Sequence, residues 1–159
     1  MIDKNTFCRL IRDNEKAMYS VAFSIVSNES DAADAISESI YRAYKNIDAL
    51  KNINAFKPWM LRIVRNTSIE LVRSSSKQIS IDDIEIETEN DENKIVTALT
   101  LKKAVDNLKQ PYKTVVVLYY FQDLSIAQIS KITGTSVVSA KQRLSRARHM
   151  LRDMLMETF

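Results

Sequence analysis

The sequence is poor in the residues that form tight turns, because its 159 residues include one glycine and two prolines. β-Hairpins, open α/β sheets and phosphate-binding loops depend on turn glycines, so their scarcity argues against all three. Hydrophobic residues make up 45% of the chain and charged residues 27%, a balance typical of a globular protein. The composition therefore favours an all-α fold.

Cysteine and histidine are also scarce, with one of each, Cys8 and His149, near opposite ends of the chain. A single cysteine excludes an internal disulfide and fits a reducing cytosol, so we expect a cytoplasmic protein. Neither a metal site nor a histidine-activated nucleophile is visible, and we expect no cofactor and no enzymatic activity. No apolar run approaches the ~20 residues of a membrane span, and the N-terminus lacks a signal-peptide pattern, so direct membrane insertion is not expected.

Apolar residues recur with helical spacing in the first half of the chain. Residues 3–27 predict one amphipathic helix, and Ser30 or Asp31 can cap a second. Pro58 fits the first turn of a third helix, where its missing N–H costs nothing. The intervening residues 50–56 are predicted to form a loop.

Charge is distributed unevenly along the chain. Residues 1–73 carry a net charge of +2, residues 74–94 carry −5 and residues 95–159 carry +6. Within the acidic segment, residues 79–87 alternate apolar and acidic side chains, a pattern that favours a poorly ordered chain over a short strand. The distribution predicts two small helical domains, 1–73 and 95–159, joined by an acidic flexible linker, 74–94, with nucleic acid as a partner of both domains.

The only glycine, Gly134, lies between a short apolar segment and a longer basic one. A residue free to adopt positive φ between two helices is how a helix-turn-helix corner is built. From Leu124 to Arg152 there are six lysines and arginines and no acidic residue. Upstream, Pro111 is predicted to start a helix that includes the β-branched run 115–121. The second domain is therefore predicted to contain a DNA-binding helix-turn-helix.

The second helix of this motif is predicted to present one face to the major groove. With Ala140 at the centre of the buried face, Lys141, Gln142 and Ser145 lie opposite and are the best candidates for base-edge contacts. Arg143 lies near the buried edge and is expected to reach phosphate. The alternative is an ordinary solvated helix face. The full set of candidates comprises Ser136, Val138, Ser139, Lys141, Gln142, Arg143, Ser145, Arg146 and Arg148.

Three kinds of segment together resemble the bacterial sigma factors of the extracytoplasmic-function group. Residues 123–125, 134–136 and 141–148 resemble the part of that family that reads the −35 promoter element. Residues 31–44 resemble its polymerase-binding helix, and residues 56–66 resemble its −10 region. The resemblance covers nearly the whole chain, and the order and spacing of the segments make it specific.

The resemblance implies an alternative sigma factor that binds core RNA polymerase and directs promoter-specific transcription initiation. The first domain would dock on the clamp helices of the β′ subunit, and read and melt the −10 element. The second would dock near the flap of the β subunit and read the −35 element, while the acidic linker would mimic nucleic acid in a basic channel. The family also implies an anti-sigma factor, often membrane-anchored, as a partner.

The resemblance assigns polymerase contacts to one face of the second predicted helix. The departure is Ser37, which stands where the family usually has glutamine. Asp31 and Asp34 can alternatively be simple helix caps, because they fall in the first turn of the predicted helix. The residues carried over are Asp31, Asp34, Ala35, Glu38, Ser39 and Arg42.

Melting the −10 element requires capture of a base taken out of the stack, by planar or amide groups around a pocket. The capture candidates are Lys51, Asn52, Asn54 and Phe56. Side chains expected to follow the DNA backbone are Lys57, Arg62, Arg65 and Asn66. Trp59 is a further candidate, and both it and Tyr44 can equally be core aromatics.

A free-standing helix-turn-helix regulator is the competing interpretation. Such a regulator normally needs a dimer interface or a ligand-sensing domain, and its first domain would not carry a basic and aromatic strand-opening surface. The sequence departs mildly from the sigma pattern at Thr135 and Ala140, where the family often has larger aliphatic residues. These departures leave the prediction of the helix-turn-helix motif unchanged.

Overall fold

The structure, a computed structural model, describes residues 2–75 and 98–157. Within these ranges the chain forms helices and no β-strand, which confirms the all-α prediction. The predictions made for the acidic linker, including the alternating residues 79–87, lie outside the described residues.

The first half forms a helical bundle. Its helices are α1 (Lys4–Asp13), α2 (Glu15–Val26), α3 (Glu29–Lys45) and α4 (Phe56–Ser75), with short 3-10 turns at Ile47–Ala49 and Ile53–Ala55. Helices α2, α3 and α4 pack against one another, and α1 contacts α2. Met18, Val21, Met60 and Val64 are fully buried at the centre. The i, i+3, i+4 pattern of the sequence thus faces the core as predicted.

Three local expectations for this half were wrong. The single helix predicted over residues 3–27 is interrupted at Asn14, whose side-chain amide donates to the Leu10 carbonyl at 2.8 Å. The cap of α3 is Asn28, which accepts from the backbone N–H of Asp31 at 2.8 Å, rather than a later residue. Phe56, assigned to the loop, is instead the first residue of α4. Several short polar side chains near the start of a helix can serve as its cap. The period of the apolar residues does not show which of these neighbours does so.

The second half contains α5 (Ala98–Asp106), α6 (Tyr112–Val116), α7 (Ile126–Thr133) and α8 (Val137–Glu157). Helix α6 continues directly into one π-helical turn, Val117–Phe121, so the β-branched run is helical as predicted. The π turn was not expected from the sequence. Helices α5, α6 and α8 enclose a second buried cluster.

Helices α7 and α8 meet at Gly134 as a helix-turn-helix. Gly134 has φ 67° and ψ 31°, the left-handed conformation predicted from the sequence. At the other end of α7, Ser125 and Gln128 form a capping box, with the Ser125 hydroxyl accepting from the Gln128 N–H at 3.1 Å. A Cβ built on Gly134 would meet no atom of the described residues within 4 Å. The glycine is therefore required for its backbone conformation and not for space.

The two halves pack directly against each other. Helix α7 lies on α4, and α6 with its π turn lies on α2. The buried cluster of the first half continues through Leu118, Ile129 and Ile132 of the second. Polar contacts also cross the boundary: the Lys57 ammonium donates to the Gln122 carbonyl at 3.0 Å, and the Gln110 amide donates to the Ser24 carbonyl at 2.9 Å. We call this packing the closed arrangement.

Candidate polymerase and nucleic-acid interfaces

The outward face of α8 has the composition expected of a DNA-reading surface. Lys141, Gln142, Ser145 and Arg146 are all exposed. Val138 on the same helix is 64% exposed. The opposite face of the helix is buried through Ala140, Leu144, Ala147 and Leu151. The structure thus separates the buried and exposed faces of α8 as the sequence predicted.

The first turn of α8 is fixed by a serine cap. The Ser136 hydroxyl accepts from the backbone N–H of Ser139 at 3.0 Å. Ser136 therefore has a structural role at the helix N-terminus, beside any contact with DNA. Its neighbour Val137 begins the helix and is exposed.

Arg148 is tied to an aromatic pair that sequence reasoning missed. Its Nε donates to the Tyr120 hydroxyl at 2.6 Å, and its guanidinium lies 5.5 Å from the Tyr119 ring centre and 5.7 Å from that of Tyr120. The hydrogen bond to Tyr120 raises the pKa of Arg148. This contact links α8 to the π turn, and nothing in the spacing of the sequence pairs these residues.

Helix α3 presents only part of its predicted polymerase surface. Asp34 and Glu38 are exposed, and Asp31 is half-buried beside Asn28. Ala35 and Ser39 are buried, with 1% and 0% exposure, and the Ser39 hydroxyl donates to the Ala35 carbonyl at 2.6 Å. These two small residues allow α3 to approach the neighbouring helices, and in this structure they lie beneath the exposed surface that was predicted to include them.

Arg42 connects α3 to α4 and has three partners. Its Nε lies 3.1 Å from a Glu38 carboxylate oxygen, and one Nη lies 2.6 Å from Glu70 and 3.4 Å from the Thr67 hydroxyl. The hydrogen bonds to Glu70 and Glu38 raise the pKa of Arg42. Glu70 was missed because it follows Arg42 by 28 positions and belongs to another helix. The arrangement holds Glu38 in place on the exposed side of α3.

The loop before α4 carries exposed polar side chains suited to a displaced base. Lys51, Asn52 and Asn54 are exposed, and the Asn52 side chain accepts from the Asn54 N–H at 3.0 Å. Phe56, by contrast, is 1% exposed and packs edge-on against Phe7, with ring centres 6.2 Å apart. Phe56, which was predicted to capture a base, is therefore a core residue in this structure.

The other two aromatic candidates, Trp59 and Tyr44, each contact another ring and are partly exposed. Trp59 is half-buried with its ring centre 5.9 Å from that of Phe56, and it packs against the core. Tyr44 is 51% exposed and contacts Phe7 edge-on at 5.5 Å. The core interpretation offered for both is thus partly correct, since each ring has one packed and one accessible side.

The four side chains predicted to follow one DNA backbone divide between two surfaces. Arg62 and Asn66 are exposed to solvent, and Asn66 accepts a hydrogen bond from Arg65 at 3.2 Å. Lys57 contacts Gln122, and Arg65 borders the second half of the chain. In the closed arrangement Lys57 and Arg65 therefore face protein.

A polar cavity of about 400 Å³ lies where α4, α6 and the helix-turn-helix corner meet. Three arginines, Arg65, Arg73 and Arg143, line it. Burial lowers the pKa of Arg65, and the nearby guanidiniums of Arg143, Arg73 and Arg62 lower it further. The remaining polar lining consists of Gln110, Thr114, Thr133 and Thr135.

Residues 2–75 and 98–157 contain no group of three histidine, cysteine, aspartate or glutamate side chains able to hold a metal ion. In the same ranges no helix is both long and apolar enough to cross a membrane.

Two sequence models of known protein regions match this chain, one in each half. A sequence model of Sigma-70 region 2 matches residues 10–78, and one of Sigma-70 region 4 matches residues 98–151. The sigma factor SigV of Bacillus subtilis is 34% identical over 91% of this chain and 88% of its own length. The extracytoplasmic-function factor SigW of the same bacterium is 27% identical over 96% of this chain and 90% of its own.

Solved structures share the fold. The sigma factor RpoE of Bartonella quintana, crystallised with the anti-sigma factor NepR, has a TM-score of 0.73 and 22% identity over 94% of this chain and 96% of its own. CnrH, in complex with the cytosolic domain of CnrY, has a TM-score of 0.72 and 21% identity over 98% of this chain and 90% of its own. The matched regions cover well over half the chain in the order expected. The chain therefore belongs to the sigma-70 family, within its extracytoplasmic-function group.

Proposed function

We propose that the two halves of this alternative sigma factor, residues 1–73 and 95–159, divide promoter recognition between them. The chain directs promoter-specific transcription by binding RNA polymerase and promoter DNA. The observation that carries the division is the exposed basic face of α8 behind a left-handed glycine corner, on the same chain as a region 2 bundle. Sigma factors are transcription initiation factors. The chain therefore acts by binding, in the cytoplasm, and RNA synthesis is catalysed by the polymerase.

The −35 element is read by α8 lying in the major groove. Lys141, Gln142 and Ser145 reach base edges from the exposed face, with Arg146 beside them. A single well-placed base contact is worth ~1–3 kcal/mol of discrimination, whereas a phosphate contact adds affinity that falls with salt. Arg148 acts indirectly, because its contact with Tyr120 holds α8 against the π turn.

The −10 element is opened by the loop and the exposed side of α4. Lys51, Asn52 and Asn54 supply the amide and cationic groups that a displaced base needs. Arg62 and Asn66 follow the backbone of the opened strand from their exposed positions. The aromatic partner for stacking is Trp59 rather than Phe56, because Phe56 is buried.

Core polymerase is bound through α3 by way of Asp34, Glu38 and Arg42. The two carboxylates are exposed, and Arg42 orients Glu38 from a position anchored on Glu70. The β′ clamp helices are the proposed partner of this face, and the β flap is the proposed partner of residues 95–159. Ala35 and Ser39 support the face from beneath.

Run-off transcription with core polymerase on a library of randomised promoters tests the assignment. We expect transcripts that depend on this protein and that share two sequence elements separated by a fixed spacing. Repeating the assay with variants of one half at a time should then assign each element to one half of the chain. Tight operator binding without polymerase, together with no polymerase-dependent transcription, would instead support a free-standing helix-turn-helix regulator.

An anti-sigma factor is the second proposed partner. The two similar structures were each solved as complexes, one with NepR and the other with the cytosolic domain of CnrY. For this chain we expect a protein that binds surfaces of both halves and keeps them from polymerase or DNA, and that is membrane-anchored as in many such systems. Co-purification from the native host with and without a stress stimulus, followed by reconstitution, tests the prediction.

A further inference from the structure

The cavity between the two halves is built from both of them. Arg65 and Arg73 come from α4, Arg143 comes from α8, and Thr135 lies in the corner just after Gly134. The volume of about 400 Å³ is within the ~300–1,000 Å³ range of small-molecule sites. The cavity exists only because the halves pack together, so any occupant that contacts all three arginines bridges them.

The charges that line the cavity are unbalanced. Among residues 2–75 and 98–157 no carboxylate forms an ion pair with Arg65, Arg73 or Arg143. The contrast within the same bundle is Arg42, which has carboxylate partners at 3.1 and 2.6 Å. Burial lowers the pKa of Arg65, and the neighbouring guanidiniums lower it further. Within residues 2–75 and 98–157, the closed arrangement therefore brings three like charges together without a carboxylate partner.

The donors in the cavity fit phosphate chemistry. Guanidinium groups bind phosphate oxygens in pairs, and three of them around one space suit a multiply charged anion better than a single carboxylate. The Thr135 hydroxyl, which pairs with that of Thr133 at 3.0 Å, adds a polar group. Ile25, Ile69 and Pro111 close one side with apolar surface. The volume is larger than one phosphate requires.

We propose that this cavity is a binding site for a small polyphosphate-bearing molecule, which holds the two halves in the closed arrangement. Such an anion neutralises the three arginines and stabilises the closed arrangement by a free energy that grows with the logarithm of its concentration above Kd. If Arg65 and Arg143 also contact DNA, as the sequence analysis predicts, the anion competes with the promoter for both. That regulatory consequence rests on the proposed function, whereas the binding site does not.

Calorimetric titration with inorganic tripolyphosphate at constant ionic strength tests the site on the full chain. We expect saturable binding of one anion per chain, tighter than that of inorganic phosphate. Arg143→Gln and Arg65→Gln should each weaken it about tenfold or more, since each removes a paired charged contact. The matched control is Arg152→Gln, an exposed position on the same helix outside the cavity, which should change affinity by less than about twofold.

Thermal unfolding separates a ligand site from a merely structural role of these arginines. Without the anion, Arg143→Gln should unfold at the same or a higher temperature than the wild type, because it removes repulsion. With tripolyphosphate, the wild type should gain stability and the variant should gain little. Absence of binding, unchanged binding in both cavity variants, or equal weakening by Arg152→Gln would overturn the proposal and leave the sigma assignment intact.

Discussion

Gly134 is required for its backbone conformation and not for its small size. Its φ of 67° is costly for residues with a Cβ, yet the space around it is open within the described structure. The steric and conformational explanations of this glycine are therefore separable by substitution.

We expect Gly134→Val to lower the free energy of unfolding by ~1–2 kcal/mol, because a β-branched residue is strained at positive φ. Gly134→Asn should cost clearly less, since asparagine tolerates the left-handed region. Urea denaturation of both variants measures the difference. Equal stability of valine and asparagine at this position would contradict the explanation from backbone strain.

The environment of Lys113 leads to a second prediction at the level of single residues. It is 4% exposed, and burial lowers the pKa of its ammonium group, an effect that Asp106 partly offsets. Since the pKa is lower in the folded than in the unfolded chain, the unfolded state binds more protons between the two values. This group therefore makes the protein less stable at neutral pH than at high pH.

Lys113→Met should be more stable than the wild type at pH 7, because it removes a charge from a buried position. The advantage should shrink as the pH rises toward 10.5, the ordinary value for lysine, where the wild-type ammonium loses its proton in both states. Unfolding free energies of both proteins across this range provide the measurement. A constant difference would show that Lys113 does not titrate differently on folding.

At the scale of single elements, the spacing of apolar residues predicted the helices better than their ends. The buried and exposed faces of α8 follow from its sequence, because a 3.6-residue period assigns each position to a face. The break at Asn14 and the π turn at 117–121 do not follow, since both depend on local hydrogen bonds and packing. The same limit explains Ser39, whose helix face was recognised but whose burial was not.

The exposed carboxylates of α3 give a prediction for polymerase binding. Asp34→Lys should weaken binding to core polymerase about tenfold or more, because it reverses a charge on the proposed contact face. Asp13→Lys, an exposed acidic position at the end of α1, makes the same charge change outside that face and serves as the control.

Competition against a labelled sigma factor for core polymerase measures both affinities. Similar weakening by the two variants would indicate a general charge effect and argue against α3 as the specific contact.

At the scale of the whole molecule, the closed arrangement conflicts with simultaneous reading of two promoter elements. Elements near −35 and −10 lie about 25 base pairs apart, or roughly 85 Å along B-DNA. In the closed arrangement Arg65 and Arg143, proposed for the two elements, line one cavity. If these residues contact the two elements as proposed, we expect the halves to separate before both elements can be bound.

Holding the halves together should block initiation. In a Cys8→Ser background, Lys57→Cys and Gln122→Cys place two thiols at a contact between the halves, where Lys57 meets the Gln122 carbonyl. Joining them with a short, cleavable thiol reagent should abolish promoter-dependent transcription, and cleavage should restore it. The same variant without reagent is the control, and full activity of the joined protein would contradict the need for opening.

The sequence by itself determined the helical class, the two basic halves, the helix-turn-helix corner and the family. It could do so because helical periodicity, a lone glycine and local charge are properties of neighbouring residues. Only the tertiary structure decided that Phe56 and Ser39 are core residues, that Arg42 pairs with Glu70, and that Arg148 pairs with Tyr120. It alone brought Arg65 and Arg143 to one cavity, because contacts between residues far apart in the chain depend on how helices pack and not on the pattern within any one helix.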